Sequence, residues 1–139
     1  MMPTQSDIHL HIGRQERTFF KFHCERASFY ISGYGSFSDM EKMRMYIFQL
    51  TKENAGAKGR WKGIMRARRL FCFFCRHVFW VVPSYSTMGE YVHIDHATAI
   101  YHCRTVLSQL EILNQQTLDD IDILCKLMGY KFIVKRKQP

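Results

Sequence analysis

The sequence predicts an α+β domain, with a small N-terminal antiparallel sheet packed on a helical bundle. Two observations predict the class. Short runs through roughly the first 35 residues carry strand signals, and from Ser38 onward the apolar residues recur at helical spacing. A third bounds the size: 139 residues, 47% of them hydrophobic, suffice for an ordinary core without disulfide or metal staples. The change of period divides the chain into a β-rich segment, 1–37, and a helical segment, 38–139.

Asp7, Ile8, His9, Leu10, His11 and Ile12 alternate polar and apolar residues, as a half-buried strand does. Residues 13–16 supply a turn into a second run, 18–23. A third, 27–32, holds Phe29, Tyr30 and Ile31 and is broken by the Gly- and Ser-bearing residues 32–36. Two or three such strands are marginal alone and must lean on the rest of the chain. Their aromatic residues read as sheet core or, in a second reading, as a platform for single-stranded bases. Ser38 with Glu41 forms a capping box for a helix that carries Met40, Met43, Tyr46, Ile47 and Leu50. A Gly- and Lys-bearing loop covers 54–59. A long, buried helix is expected from 64 to 82, ended by Pro83. A short helix over 84–91 and a longer one over 96–113 follow. Another runs from Thr117 to 128, with Thr117 or Leu118 near its cap and Gly129 just past its end. Residues 130–134 form a last strand before the basic tail Lys135-Arg136-Lys137.

The formal charge of +8 and a pI near 9.4 favour an anionic partner, either nucleic acid or an acidic membrane surface. Between Lys52 and Arg76, eight Lys and Arg residues stand against Glu53 alone, a net +7. Phosphate neutralisation by such a stretch supplies most of non-specific DNA affinity. The most apolar run, 70–82, is interrupted by Arg76 and His77. It falls short of the roughly 20 residues a membrane span needs, so no membrane partner is expected. Five cysteines, an odd number without framework spacing and with no recognised signal peptide, point to a reduced, cytoplasmic setting. Cys72-x-x-Cys75 with His77, and His93-x-x-His96 with His102 and Cys103, contain zinc-capable side chains but complete no ligand set, so no metal or other cofactor is expected. A Cys103–His nucleophile pair has no local marker, and no carboxylate cluster or GxxxxGK[ST] phosphate loop is present. The chain is expected not to be an enzyme.

Residues 95–106, DHATAIYHCRTV, are the most informative stretch. An acid, a histidine and a small hydroxyl residue open an amphipathic helix, which is how a helix end presents hydrogen-bonding side chains to base edges. His96 and Thr98 can each donate or accept there. Ala97 offers a methyl to thymine, and Asp95 can accept from a cytosine amino group while capping the helix.

This stretch resembles the Asp-His-Thr-Thr signature of the DNA-binding C-terminal domain of the bacterial replication initiator DnaA. Asp95, His96, Thr98, Cys103 and Arg104 match it without a gap, and Ile100 and Val106 match in apolar character. The resemblance covers about residues 60–112. Arg68 and Arg76 keep the separation of two basic residues on the family's preceding long helix. Ser84 and Gly89 keep the spacing found in its first motif helix. It implies a helix-turn-helix within the bundle and double-stranded DNA as partner, with Arg68 in the minor groove. Ser86 and Thr87 would hold phosphates, and Asp95, His96, Ala97 and Thr98 would face the bases. Arg69, His102 and Arg104 complete the expected contact set. Val92-His93-Ile94 stands where the family has Gly-Gly-Arg, Ala97 where it has a base-reading threonine, and Ala67 where it has a proline. These departures bear on sequence preference more than on fold. The expected role is regulation of, or an accessory part in, transcription or replication in a bacterium or mobile element. The alternative is an interaction or inhibitor module whose basic face binds an acidic protein. Each contact also has a plainer explanation: Asp95 as a cap only, His96 and His102 as ordinary histidines, the arginines as a solvated face. The sequence leaves the oligomeric state open, a homodimer included.

Overall fold

Ala27, Phe29, Ile31 and Gly33 are all buried, and they occupy alternate positions of one strand, β2 (Ala27–Gly33). A strand buried to this extent needs partners on both edges for its backbone N–H and C=O groups. The computed structural model, which describes residues 15–138, supplies them. β1 (Arg17–His23) pairs antiparallel with β2, placing Phe22 opposite Phe29 and Phe20 opposite Ile31. On the other edge β3 (Lys131–Arg136) places Val134 opposite Phe29 and Phe132 opposite Ile31. The sheet order is β1-β2-β3. Phe20, Phe22, Phe29, Ile31, Phe132 and Val134 therefore share one face, which packs on the helices; Phe20 meets Phe73 edge-on at 5.1 Å. The aromatics on this face form core, whereas Tyr30 lies on the opposite face, beside His23 and Lys135. The expected strand at 7–12 lies outside the described residues.

Five helices lie between β2 and β3: α1 (Met40–Thr51), α2 (Lys62–His77), α3 (Tyr85–Val92), α4 (His96–Glu111) and α5 (Gln115–Met128). The protein is thus an α+β domain with a three-stranded antiparallel sheet on a helical bundle. α2 is its axis, burying nine residues that include Leu70, Phe71, Phe73 and Phe74. α1 packs on it through Met43 and Ile47, and α4 brings Ala99, Cys103, Val106 and Leu110 into the same core. Arg66 on α2 grips the buried Asp120 of α5 with two hydrogen bonds, 2.8 Å from Nε to Oδ2 and 2.5 Å from Nη2 to Oδ1. That bond is the main reason the Arg66 pKa is raised.

Several boundaries differ from the sequence expectation, and hydrogen bonds account for three of them. The cap of α1 is Asp39, which accepts from the Lys42 N–H at 3.0 Å; Ser38 instead accepts from the Val81 N–H at 2.8 Å. α2 ends at His77 rather than at Pro83. Beyond it the backbone N–H groups of Trp80 and Val81 find partners in Phe37 and Ser38, so the chain leaves the helix early. α5 starts two residues earlier than expected, capped by Asn114, which accepts from Thr117 N–H at 3.0 Å. Its other end follows the expectation: Gly129 adopts φ +78°, the left-handed geometry that closes a helix. No helix among the described residues is long and apolar enough to cross a membrane.

Candidate nucleic-acid interface

Two helices joined by three residues, 93–95, span the stretch where the motif is expected. Ser84 starts α3, its hydroxyl accepting from Thr87 N–H at 3.1 Å. The helix stops where His93 turns left-handed, φ 62°. The Ile94 N–H then returns to the Gly89 carbonyl at 2.8 Å. Asp95 immediately caps α4, accepting from Thr98 N–H at 2.7 Å. The Thr98 side chain, through its own hydrogen bond, is the main reason the Asp95 carboxyl sits below its ordinary pKa, and this backbone hydrogen bond is the second.

Gly89 is what lets the turn close. A Cβ built there would stand 2.3 Å from the Ile94 carbonyl oxygen, a backbone atom that has no side-chain freedom to yield. Gly89→Ala is expected to cost about 2–3 kcal/mol, read from the urea midpoint, by prising the turn away from α3. An unchanged midpoint would mean the backbone relaxes without strain.

α4 divides cleanly into two faces. Ala99, His102, Cys103, Val106 and Leu110 are buried, while His96, Ala97, Tyr101, Arg104 and Ser108 are exposed. Thr98 is half-buried beside the first turn. On α3, Ser86 and Thr87 are exposed in the first turn. Arg76, at the end of α2, lays its guanidinium over the Tyr85 ring at 5.1 Å and brings a cation to that helix start. Among the expected contacts, Ser86, Thr87, Asp95, His96, Ala97 and Arg104 are therefore at the surface, and Arg69 is half-buried. Burial lowers the Arg69 pKa, partly offset by neighbouring Tyr101.

Two expected contacts are corrected. Arg68 is only 3% exposed. Its Nε donates to the Ala55 carbonyl at 3.2 Å, Nη1 to Gly59 at 2.7 Å, and Nη2 to Ala57. With its donors directed at the loop that precedes α2, it is an internal anchor and has no reach to a minor groove. Burial and then the nearby Arg60 lower its pKa, although a guanidinium stays charged at any ordinary pH. His102 is 1% exposed, off the outward face of α4, and borders the cleft between that helix and the 58–60 loop. Cys72 and Cys75 are likewise core residues, and burial pushes both thiols up. Among the described residues no three His, Cys, Asp or Glu side chains are grouped to hold a metal ion.

Three surface residues stand outside the expected contact set, two of them from the basic stretch 52–76. Tyr101 stands 64% exposed in the middle of the outward face of α4. Lys58 and Arg60 are exposed on the loop that Arg68 holds, and they share a cleft with Asp95 and Thr98. The loop thus brings cations to the start of α4. No protein-family model, curated protein or solved structure matches the chain.

Proposed function

We propose that the protein binds double-stranded DNA through α3 and α4, without catalysing a reaction, and acts as a regulator or accessory factor of transcription or replication. The observation that carries this reading is the outward face of α4. It begins at a capped, exposed helix end and presents His96, Ala97, Tyr101 and Arg104 in succession, with cations close by at Lys58 and Arg60. A helix of this kind enters a major groove with its first turns against the bases. Arg104 can make the bidentate contact that selects guanine, His96 can bond a base edge, and the Ala97 methyl fits thymine. Ser86 and Thr87, at the start of α3, suit phosphate contacts that fix register. The sequence resemblance to the DnaA C-terminal domain supports the same assignment of the two helices.

Selection of bound sequences from a random duplex pool at moderate salt tests it. The expected result is enrichment of a defined motif by the wild type. His96→Ala or Arg104→Ala should weaken binding to that motif by about tenfold or more, the loss typical of one base contact. Retention of all sequences alike, untouched by either substitution, would overturn sequence reading. It would leave the basic face to an acidic protein partner.

A further inference from the structure

A cleft of about 540 Å³ opens where the 58–60 loop, α2 and the start of α4 meet. Its size is that of an ordinary small-ligand site. Lys58 and Arg60 supply one part of its lining, and neither is paired with an acid among the described residues. Met65 and Tyr101 give it apolar surface. His102 also lines it. Although that side chain is 1% exposed, neither ring nitrogen has a hydrogen-bond partner. A buried polar group left in this state costs about 1–3 kcal/mol, which a leucine at the same place would avoid. Neighbouring Arg68 is not the partner: it has no acceptor, and three of its donors go to the loop carbonyls.

We propose that this cleft binds a single nucleotide, with its phosphate at Lys58 and Arg60, its base against Met65 and Tyr101, and the base edge hydrogen-bonded by the ring of His102. Inorganic phosphate would leave the apolar surface and the histidine unused, and a neutral aromatic would leave the two cations unused. Burial, then Arg69 and Arg68, push the His102 pKa down to about 4. The ring is therefore neutral near pH 7, with one nitrogen donating and the other accepting, the pattern a base edge can match. Two sources offer this chemistry: a free nucleotide, or one nucleotide unstacked from a bound duplex. The second rests on the DNA-binding reading, the first does not. Asp95 and Thr98 line the same cleft and also open the proposed reading helix, so occupancy and duplex binding would influence each other.

Calorimetric titration of the full chain with AMP and CMP, against adenosine, cytidine and inorganic phosphate, tests the free source. At least one nucleotide should bind about tenfold or more tightly than its nucleoside or phosphate. The double variant Lys58→Ala/Arg60→Ala should lose about tenfold or more of that affinity with its unfolding midpoint unchanged. His102→Leu should lose binding while its midpoint rises. Duplexes carrying 2-aminopurine test the other source: fluorescence should rise on binding to wild type and not to His102→Leu. Failure of duplexes to bind at all would count against the DNA reading and leave the calorimetric arm standing. No preference for nucleotide over phosphate, together with no 2-aminopurine signal from a duplex that does bind, would overturn the proposal. So would wild-type affinity in His102→Leu.

Discussion

Arg68→Ala is expected to destabilise the protein by about 3 kcal/mol, a large share of the roughly 5–15 kcal/mol that holds a domain of this kind together. The guanidinium bonds the carbonyls of Ala55, Ala57 and Gly59, which belong to a loop with no regular structure of its own. Removing it leaves three acceptors to be hydrated or unpaired, and the loop to separate from α2. Lysine should recover little, because one ammonium on a flexible stem cannot reproduce a planar fork aimed at three oxygens. Urea unfolding of Arg68→Ala and Arg68→Lys checks this. Wild-type midpoints in both, with duplex affinity alone reduced, would return Arg68 to the surface role its sequence position suggests.

The second large effect is acid sensitivity. His77 packs against the rings of Phe20 and Phe73, at 5.4 and 5.2 Å, and burial first and then Arg76 push its pKa down to about 4. His102 is depressed to about 4 as well, by burial first and then by Arg69 and Arg68. Both ordinary values are 6.5. Below that pH the unfolded chain takes up protons that the folded chain refuses. The stability is therefore complete above about pH 6.5 and falls as the pH drops toward 4. Between pH 8 and pH 5 the loss should reach on the order of 3 kcal/mol for the two histidines together, allowing for the part-exposed position of His77. Replacing either one, as in His77→Gln or His102→Leu, should remove about half of that slope. Unfolding free energies that stay level from pH 8 to pH 5 would mean that both rings accept protons in place.

The elements that were legible in the sequence are those written in local periodicity. The run through Phe29, Tyr30 and Ile31, broken by the Gly- and Ser-bearing residues after it, marks β2, and the spacing of Met43 and Ile47 marks α1. The pairing of β3 with β2 was not legible: its register is fixed across a hundred residues by Phe29, Val134 and their neighbours. Nor was the end of α2, which depends on the distant partners Phe37 and Ser38 rather than on Pro83. Within the candidate interface the local signs worked for Asp95, whose capping geometry follows from residue type, while Ser84, expected inside the short helix, caps it. They failed for Arg68, because two adjacent arginines in a run buried on several sides give no hint which of them turns inward. His102 was readable in principle. It shares the helical phase of Ala99, Cys103, Val106 and Leu110, all core residues, whereas Tyr101 follows the outward phase of Ala97 and Arg104.

On the proposed reading, α3 and α4 present the surface that meets DNA. Amide chemical-shift mapping of the full chain against a duplex tests it most directly, since each residue reports separately. The largest changes are expected at residues 84–87, 95–98 and 101–105, with smaller ones at 58–60, and little change along the exposed side of α1 near Met45 and Phe48. Changes concentrated on the sheet or on α1, with 84–105 unmoved, would contradict it.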